Sequence, residues 1–319
     1  MDYSTETINV QFLNNAFLDK LDQGLTKEAG AAMSSFVRQK IREEGFTRKI
    51  FTPQMVTSSD LDRSLDDQPQ IIVEKEPDSV AATIPLTGKG EVRYFKGSRY
   101  AVGFYKIESN EFKKSKFELA TYKTDIRHIL QENSVKDIQK QEDTNFVGGL
   151  RSIFATRIAD GDFTTATGDF LGTGDLTGST ITDQLMSMVQ LLVDDFQKPG
   201  KILISHQLYL ALLREPATQL GDAVASRHFD TGSMEDFYGF QIITSNKSDI
   251  LSSDGVLKGD IAIAFAPEAY LGQFYSLQEP TVYLKAEADV VSFKTYESIG
   301  IGIGNVKGFV IGKVNPRFA

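Results

Sequence analysis

Pro199-Gly200-Lys201-Ile202-Leu203-Ile204-Ser205-His206-Gln207-Leu208-Tyr209 is the stretch from which the fold is read. Pro199 and Gly200 end the helix before them, since proline lacks the N–H a helix needs and glycine adopts the cap conformation freely. Lys201 to Ile204, with the apolar run Ile202-Leu203-Ile204, predicts a short buried strand. Ser205 carries an N-cap side chain, so a helix over His206–Arg214 follows at once and stops before Pro216.

Working outward, Thr180 can cap the preceding helix, whose Ile181, Leu185, Met188, Val189, Leu192, Val193 and Phe196 fall on one stripe. Downstream, Tyr238-Gly239 turns into a strand over Phe240–Thr244, and Asp260–Phe265 predicts another. After Pro267, strands are expected at Thr281–Lys285, Val290–Ile303 and Lys307–Val314. Helices and strands mix in the middle and strands close the chain, which is an α+β pattern.

Further upstream, Thr121 to about Phe154 is the longest helical candidate, with Tyr122, Ile126, Ile129 and Leu130 on one face and Val135, Ile138, Phe146, Leu150 and Ile153 continuing it. Gln139, Glu142 and Asp143 fall among its charged and amide remainder. One buried stripe predicts a helix lying across a surface, with breaks considered near Asn133 or Gly148. Pro69 to Ser109 reads as strands around a Gly-rich turn: Ile71-Ile72-Val73, then Val80 to Leu86, Thr87-Gly88-Lys89-Gly90, then Val92, Tyr94, Phe95 and Tyr100 to Ile107. A hairpin that long, carrying Glu74, Lys75, Glu91, Arg93, Lys96 and Arg99, suits a core poorly and should project toward partners. Asp60 to Asp67 reads as a solvated acidic loop. Before it, helical spacing at Val10, Leu13, Phe17 and Leu21, and again from Ala29 to Arg42, predicts a peripheral layer or an arm.

Composition removes several chemistries. Among 319 residues there is no cysteine, which excludes disulfides, thiolate nucleophiles and zinc–thiolate sites. Hydrophobic residues make up 41% of the chain, too many for a disordered polymer. The formal charge of −9 argues against a protein that coats phosphates. Met1–Val10 is polar and acidic rather than signal-like, and no apolar run approaches the length of a membrane span.

The search for catalytic patterns returns only bland readings. His128, His206 and His228 stand without a metal-ligating or triad partner in sequence, and no nucleophile elbow or phosphate loop is present. Gly172–Gly178 has the wrong spacing for a nucleotide loop, and Asp160, Asp162 and Asp169 match no ion loop. No catalytic, cofactor or metal residue is assigned. Lys113-Lys114-Ser115-Lys116 is the one basic knot, read as surface charge or as a contact for an acidic segment.

The order of segments resembles the major capsid protein of tailed bacteriophages, the Hong Kong 97 fold. Glu142-Asp143-Thr144-Asn145-Phe146-Val147-Gly148-Gly149 is similar to the end of that family's spine helix. Pro199–Tyr209 resembles its strand–helix step, and Tyr238–Ser245 the strand after the axial loop. Ala266-Pro267-Glu268-Ala269-Tyr270-Leu271-Gly272 and Ile301-Gly302-Ile303-Gly304-Asn305 resemble its final third. The resemblance implies an N-terminal arm over 1–59 and an extended hairpin loop over 60–112. It implies a peripheral domain over 113–177 and 267–319, holding the spine helix, and an axial domain over 178–266.

It also implies a structural protein, not an enzyme, that assembles with itself as hexamers and pentamers into an icosahedral virion shell around phage DNA. Thr87, Gly88, Lys89 and Gly90 would form the hairpin tip on a neighbouring subunit, with the hairpin charges beside it. Assembly would occur in the host bacterial cytoplasm, with a separate scaffolding protein or processed precursor, a portal and decoration proteins as further partners, and no membrane. Some members join a hairpin lysine to an asparagine, for which Lys89 and Asn305 are the nearest candidates. The acidity then suits a wall that repels DNA over a Debye length of about 8–10 Å. An encapsulin-like nanocompartment and a cytosolic α+β enzyme are the competing readings.

Overall fold

The computed structural model describes residues 45–63, 69–75, 83–88, 97–121, 126–159, 180–194, 200–214, 236–237, 239–252, 259–287 and 289–314, with short pieces at 18–20, 23–28, 30–31, 34 and 198. The described helices are α1 (Thr47–Ile50), α2 (Lys116–Thr121), α3 (Ile126–Ala159), α4 (Ile181–Asp194), α5 (His206–Leu213) and α6 (Glu268–Leu271). The strands are β1 (Pro53–Met55), β2 (Asp62–Arg63), β3 (Pro69–Lys75), β4 (Ser98–Gly103), β5 (Tyr105–Glu108), β6 (Phe112–Ser115), β7 (Lys201–Ser205), β8 (Asp236–Phe237), β9 (Phe240–Ser245), β10 (Ile261–Phe265), β11 (Gly272–Ala286), β12 (Val290–Ile303) and β13 (Phe309–Lys313).

Two five-stranded sheets organise the chain. In one, the order is β13-β10-β7-β9-β8, with β7 and β9 parallel and the other pairs antiparallel. Strand β10 is buried at all five positions, so its Ile-Ala-Ile-Ala-Phe sequence needs no alternation. The stripe of α4 packs on β10 and β13. Ser205 ends β7 and caps α5, its Oγ accepting from Leu208 N at 3.1 Å and donating to the Gly259 carbonyl at 2.6 Å. Gly200 is fixed by packing: an added Cβ would lie 2.6 Å from the Ala266 carbonyl carbon.

The other sheet runs β1-β11-β12-β5, with β6 also paired to β12. Its centre is the long antiparallel pair β11–β12, irregular near Ser276, Gln278 and Thr281. The final strand, β13, returns to the first sheet through β10, so the closing segment serves both. A small third sheet, β2-β3-β4, forms the base of the hairpin.

The long helix α3 ties these layers together. It runs unbroken through Asn133 and Gly148-Gly149, the two candidate break points in the sequence, because buried Phe146, Val147 and Leu150 hold both sides of the glycine pair. Phe146 meets Phe51 edge-on at 5.8 Å between ring centroids and stacks on Phe265 at 6.1 Å. Farther along, Phe154 packs on Phe309. Arg151 donates to the carbonyls of Ile250 and Ser252, and Arg157 to those of Val306 and Phe309.

Several expectations change. Asp62–Arg63, inside the stretch expected to be loop, is strand β2, and Val306–Gly308 is a 3-10 turn, so the strand expected from Lys307 begins at Phe309. Gln139, Glu142 and Asp143 are buried rather than solvated. Strand β11 begins at Gly272, nine residues before the expected Thr281. The described part of Val80–Leu86, residues 83–86, is not strand. The N-terminal helical patterns fall mostly outside the described residues.

Candidate functional site

The hairpin base follows from strand alternation. Gln70 to Lys75 pair antiparallel with Gly103 to Ser98, and Ile71 and Val73 turn inward while Ile72 and Glu74 turn outward. Val56, Val102, Phe104 and Tyr275 form a small core against Leu61, Ile71, Val73, Tyr100 and Leu277, anchoring the base to β11. Glu74 stands opposite Arg99, and their side chains pair at 2.7 Å while about 70% exposed. A pair this solvated contributes little to stability.

Beyond the base, Thr83–Gly88 is described. Gly88 N donates to the Pro85 carbonyl at 2.7 Å, closing a turn through Leu86 and Thr87. Leu86 is fully exposed and Ile84 about half exposed. Of the hairpin residues singled out in sequence, Thr87 and Gly88 lie on this turn. Glu74 and Arg99 are the exposed pair, and Lys75 sits opposite Ser98. Lys89, Gly90, Glu91, Arg93 and Lys96 lie outside the described residues. Asn305 caps a 3-10 turn, its Oδ1 accepting from Lys307 N.

The remaining sequence candidates scatter. His206 stacks on Tyr209 at the start of α5, and His228, Asp160, Asp162, Asp169 and Gly172–Gly178 lie outside the described residues. Lys113 and Lys114 pair with Glu111 and Glu118 of their own chain.

Sequence reasoning missed a buried charge cluster where α1, α3, β9 and β12 meet. Arg48 donates through Nε to both oxygens of Glu142, at 3.2 and 3.1 Å, and through Nη2 to Glu297 Oε2 at 2.7 Å. Its guanidinium also lies 5.7 Å from the Phe274 ring centroid. Glu297 Oε1 is buried without a hydrogen-bond partner. Asp143, the next residue along α3 from Glu142, accepts from Thr47 N at 3.1 Å and Thr47 Oγ1 at 2.7 Å, and its other oxygen meets Lys247 Nζ at 2.6 Å.

One guanidinium between two buried carboxyls cannot hold both ionised cheaply. Burial, and then the neighbouring Glu142, push Glu297 up to about 8. Burial raises Glu142 as well, opposed by Arg48. Tyr105 is pushed well above the usual phenol range, by burial first and then by Glu142 and Glu297. With Arg48, Glu142 and Glu297 all nearly fully buried, the cluster clamps the N-terminal segment to the long helix and the second sheet.

No family model matches the sequence, and no curated protein matches it. Solved structures do. A Microbacterium phage Oxtober96 chain matches with 11% identity and a TM-score of 0.56, covering 85% of this chain and 91% of that one. A chain of the capsid structure of Cyanophage P-SCSP1u matches with 12% identity and a TM-score of 0.52, covering 83% and 86%. A chain from the asymmetric unit of the bacteriophage PhiM1 mature capsid matches with 8% identity and a TM-score of 0.51, covering 82% and 85%. The mixed sheets, the long helix and the hairpin base are therefore arranged in the fold of phage capsid proteins.

Proposed function

We propose that this chain is the major capsid protein of a tailed phage, a structural subunit that assembles with itself as hexamers and pentamers into the icosahedral shell enclosing double-stranded DNA. The likeness in fold to the cyanophage and PhiM1 capsid chains supports this reading. The observation that carries it within the chain is the hairpin turn. Leu86, which falls in sequence between the paired strands β3 and β4, is fully exposed on its turn, so its side chain adds nothing to this subunit's own core. A second copy of the chain would cover it in a shell. Thr87, Gly88, Lys89 and Gly90 then contact a neighbour, flanked by Glu74, Lys75, Glu91, Arg93, Lys96 and Arg99.

In this reading the arm spans 1–59, the hairpin 60–112, the peripheral domain 113–177 and 267–319, and the axial domain 178–266. Strand β13 ties the two domains together. A scaffolding protein, a portal and decoration proteins complete the assembly, which forms in the bacterial cytoplasm and ends as the virion. Negative-stain microscopy of the purified chain tests the reading. Phage-sized shells or ring-shaped capsomers support it. Small cages with enzyme cargo, or featureless globules with turnover of a substrate, contradict it.

A further inference from the structure

A cavity lies away from the hairpin residues. It has a volume of about 770 Å³ and lies between the N-terminal half of α3 and the turn after β9. Lys49, Lys136, Lys140 and Lys247 line it, with Thr244, Ser245 and Asn246 supplying hydroxyl and amide groups and Asp249 the one lining carboxylate. Four lysines face one lining carboxylate, and with Lys247 already paired to Asp143 the cavity keeps an excess of positive charge in a chain of formal charge −9.

Three different elements supply these lysines. Lys49 comes from α1, Lys136 and Lys140 from α3, and Lys247 from the β9 turn. Lys136 and Lys140 are one helical turn apart, where like charges repel and cost the helix a few tenths of a kcal/mol. The turn is held in place. Ser245 Oγ accepts from Lys247 N at 3.1 Å, Ile250 N donates to the Lys247 carbonyl, and Arg151 clamps the carbonyls of Ile250 and Ser252. Lys247 is fixed further by Asp143 at 2.6 Å. The turn and Lys247 are thus set before any ligand arrives, while Lys136 and Lys140 reach the cavity from an exposed stretch of α3.

We propose that this cavity binds a compact polyphosphate anion, free or carried by a nucleotide. A concave space of this volume suits a small ligand, whereas a duplex backbone needs an extended surface. Several lysine point charges with neighbouring hydroxyl and amide donors match phosphate oxygens. A bound anion also relieves the Lys136–Lys140 repulsion and ties α3 to the β9 turn.

The test is thermal unfolding and calorimetric titration of the full chain with sodium triphosphate, ATP, a 12-nucleotide single strand and a synthetic peptide of residues 60–67, each at matched ionic strength. Expected are saturable stabilisation by triphosphate or ATP and at least a tenfold loss of affinity in Lys136→Gln/Lys140→Gln. Lys285→Gln, a lysine outside the cavity, should bind as the unmodified chain does. Tighter binding of triphosphate than of ATP assigns the free anion, and the reverse a nucleotide. Absence of saturable binding overturns the proposal, as does unchanged affinity in the double variant. Preference for the strand or the acidic peptide overturns it equally, by giving the cavity to nucleic acid or to another copy of the chain. Shell formation is not read out here, so the assembly reading stands or falls separately.

Discussion

Arg48 and Glu297 are 249 positions apart in sequence, and their side chains meet at 2.7 Å with 4% and 0% exposure. Arg48 holds Glu142 of α3 as well, so one side chain joins the N-terminal segment, the long helix and β12. Removing one partner of such a cluster strands buried charge, while removing all of it together does not. Arg48→Met should lower stability by about 3–5 kcal/mol. Arg48→Met/Glu142→Gln/Glu297→Gln should recover most of that. Urea unfolding followed by circular dichroism reads both, since the chain has no tryptophan to report by fluorescence.

The same cluster sets a pH dependence. Glu297 is raised in the folded chain to about 8, so the folded state holds a proton that the unfolded chain releases above the ordinary carboxylate range. That contribution is fully present below the unfolded value and is lost as pH rises toward about 8. Glu297→Gln imitates the protonated form. At pH 5 the variant and the parent should melt within a degree or two of each other. At pH 9 the variant should melt several degrees higher, and a parent that melts higher than Glu297→Gln at pH 9 would refute the assignment.

Phe146 joins α3 to Phe51 on one side and to Phe265 of β10 on the other. Phe146→Ala should cost about 3–5 kcal/mol, through lost burial and the cavity left behind. Phe146→Leu should cost less than half as much. Thermal melts of the two variants give the ratio.

At the hairpin, stability and assembly should separate. Leu86 is fully exposed, so Leu86→Ser should change the stability of the isolated chain by no more than about 0.5 kcal/mol. If the turn rests on a neighbour, the same change should cut the yield of assembled particles several-fold in sedimentation analysis. Glu74→Ala, which removes only a solvated pair, should do less.

What was legible in sequence was local. The Ser205 cap, the β7–α5 step and the β12 boundaries depend on neighbours a few residues away, and each lies where the pattern puts it; the α4 stripe is buried from Ile181 to Leu192, while Val193, assigned to it, is half exposed. The charge cluster was illegible for the opposite reason. Glu142 and Asp143 look like solvated helix residues until Arg48 and Lys247, 94 and 104 positions distant, are seen to meet them. The start of β11 was missed because Gly272–Pro280 does not alternate cleanly, and its ladder with β12 is irregular near Ser276, Gln278 and Thr281. The lysine cavity is spread over three elements, so no spacing in the chain announces it.

Cryo-electron microscopy of the particles formed by the full chain tests the central claim most directly. The account predicts closed icosahedral shells in which density for Ile84, Leu86 and Gly88 lies against an adjacent copy. A hairpin folded back onto its own subunit, or a purified chain that forms only monomers or small closed oligomers, would contradict it.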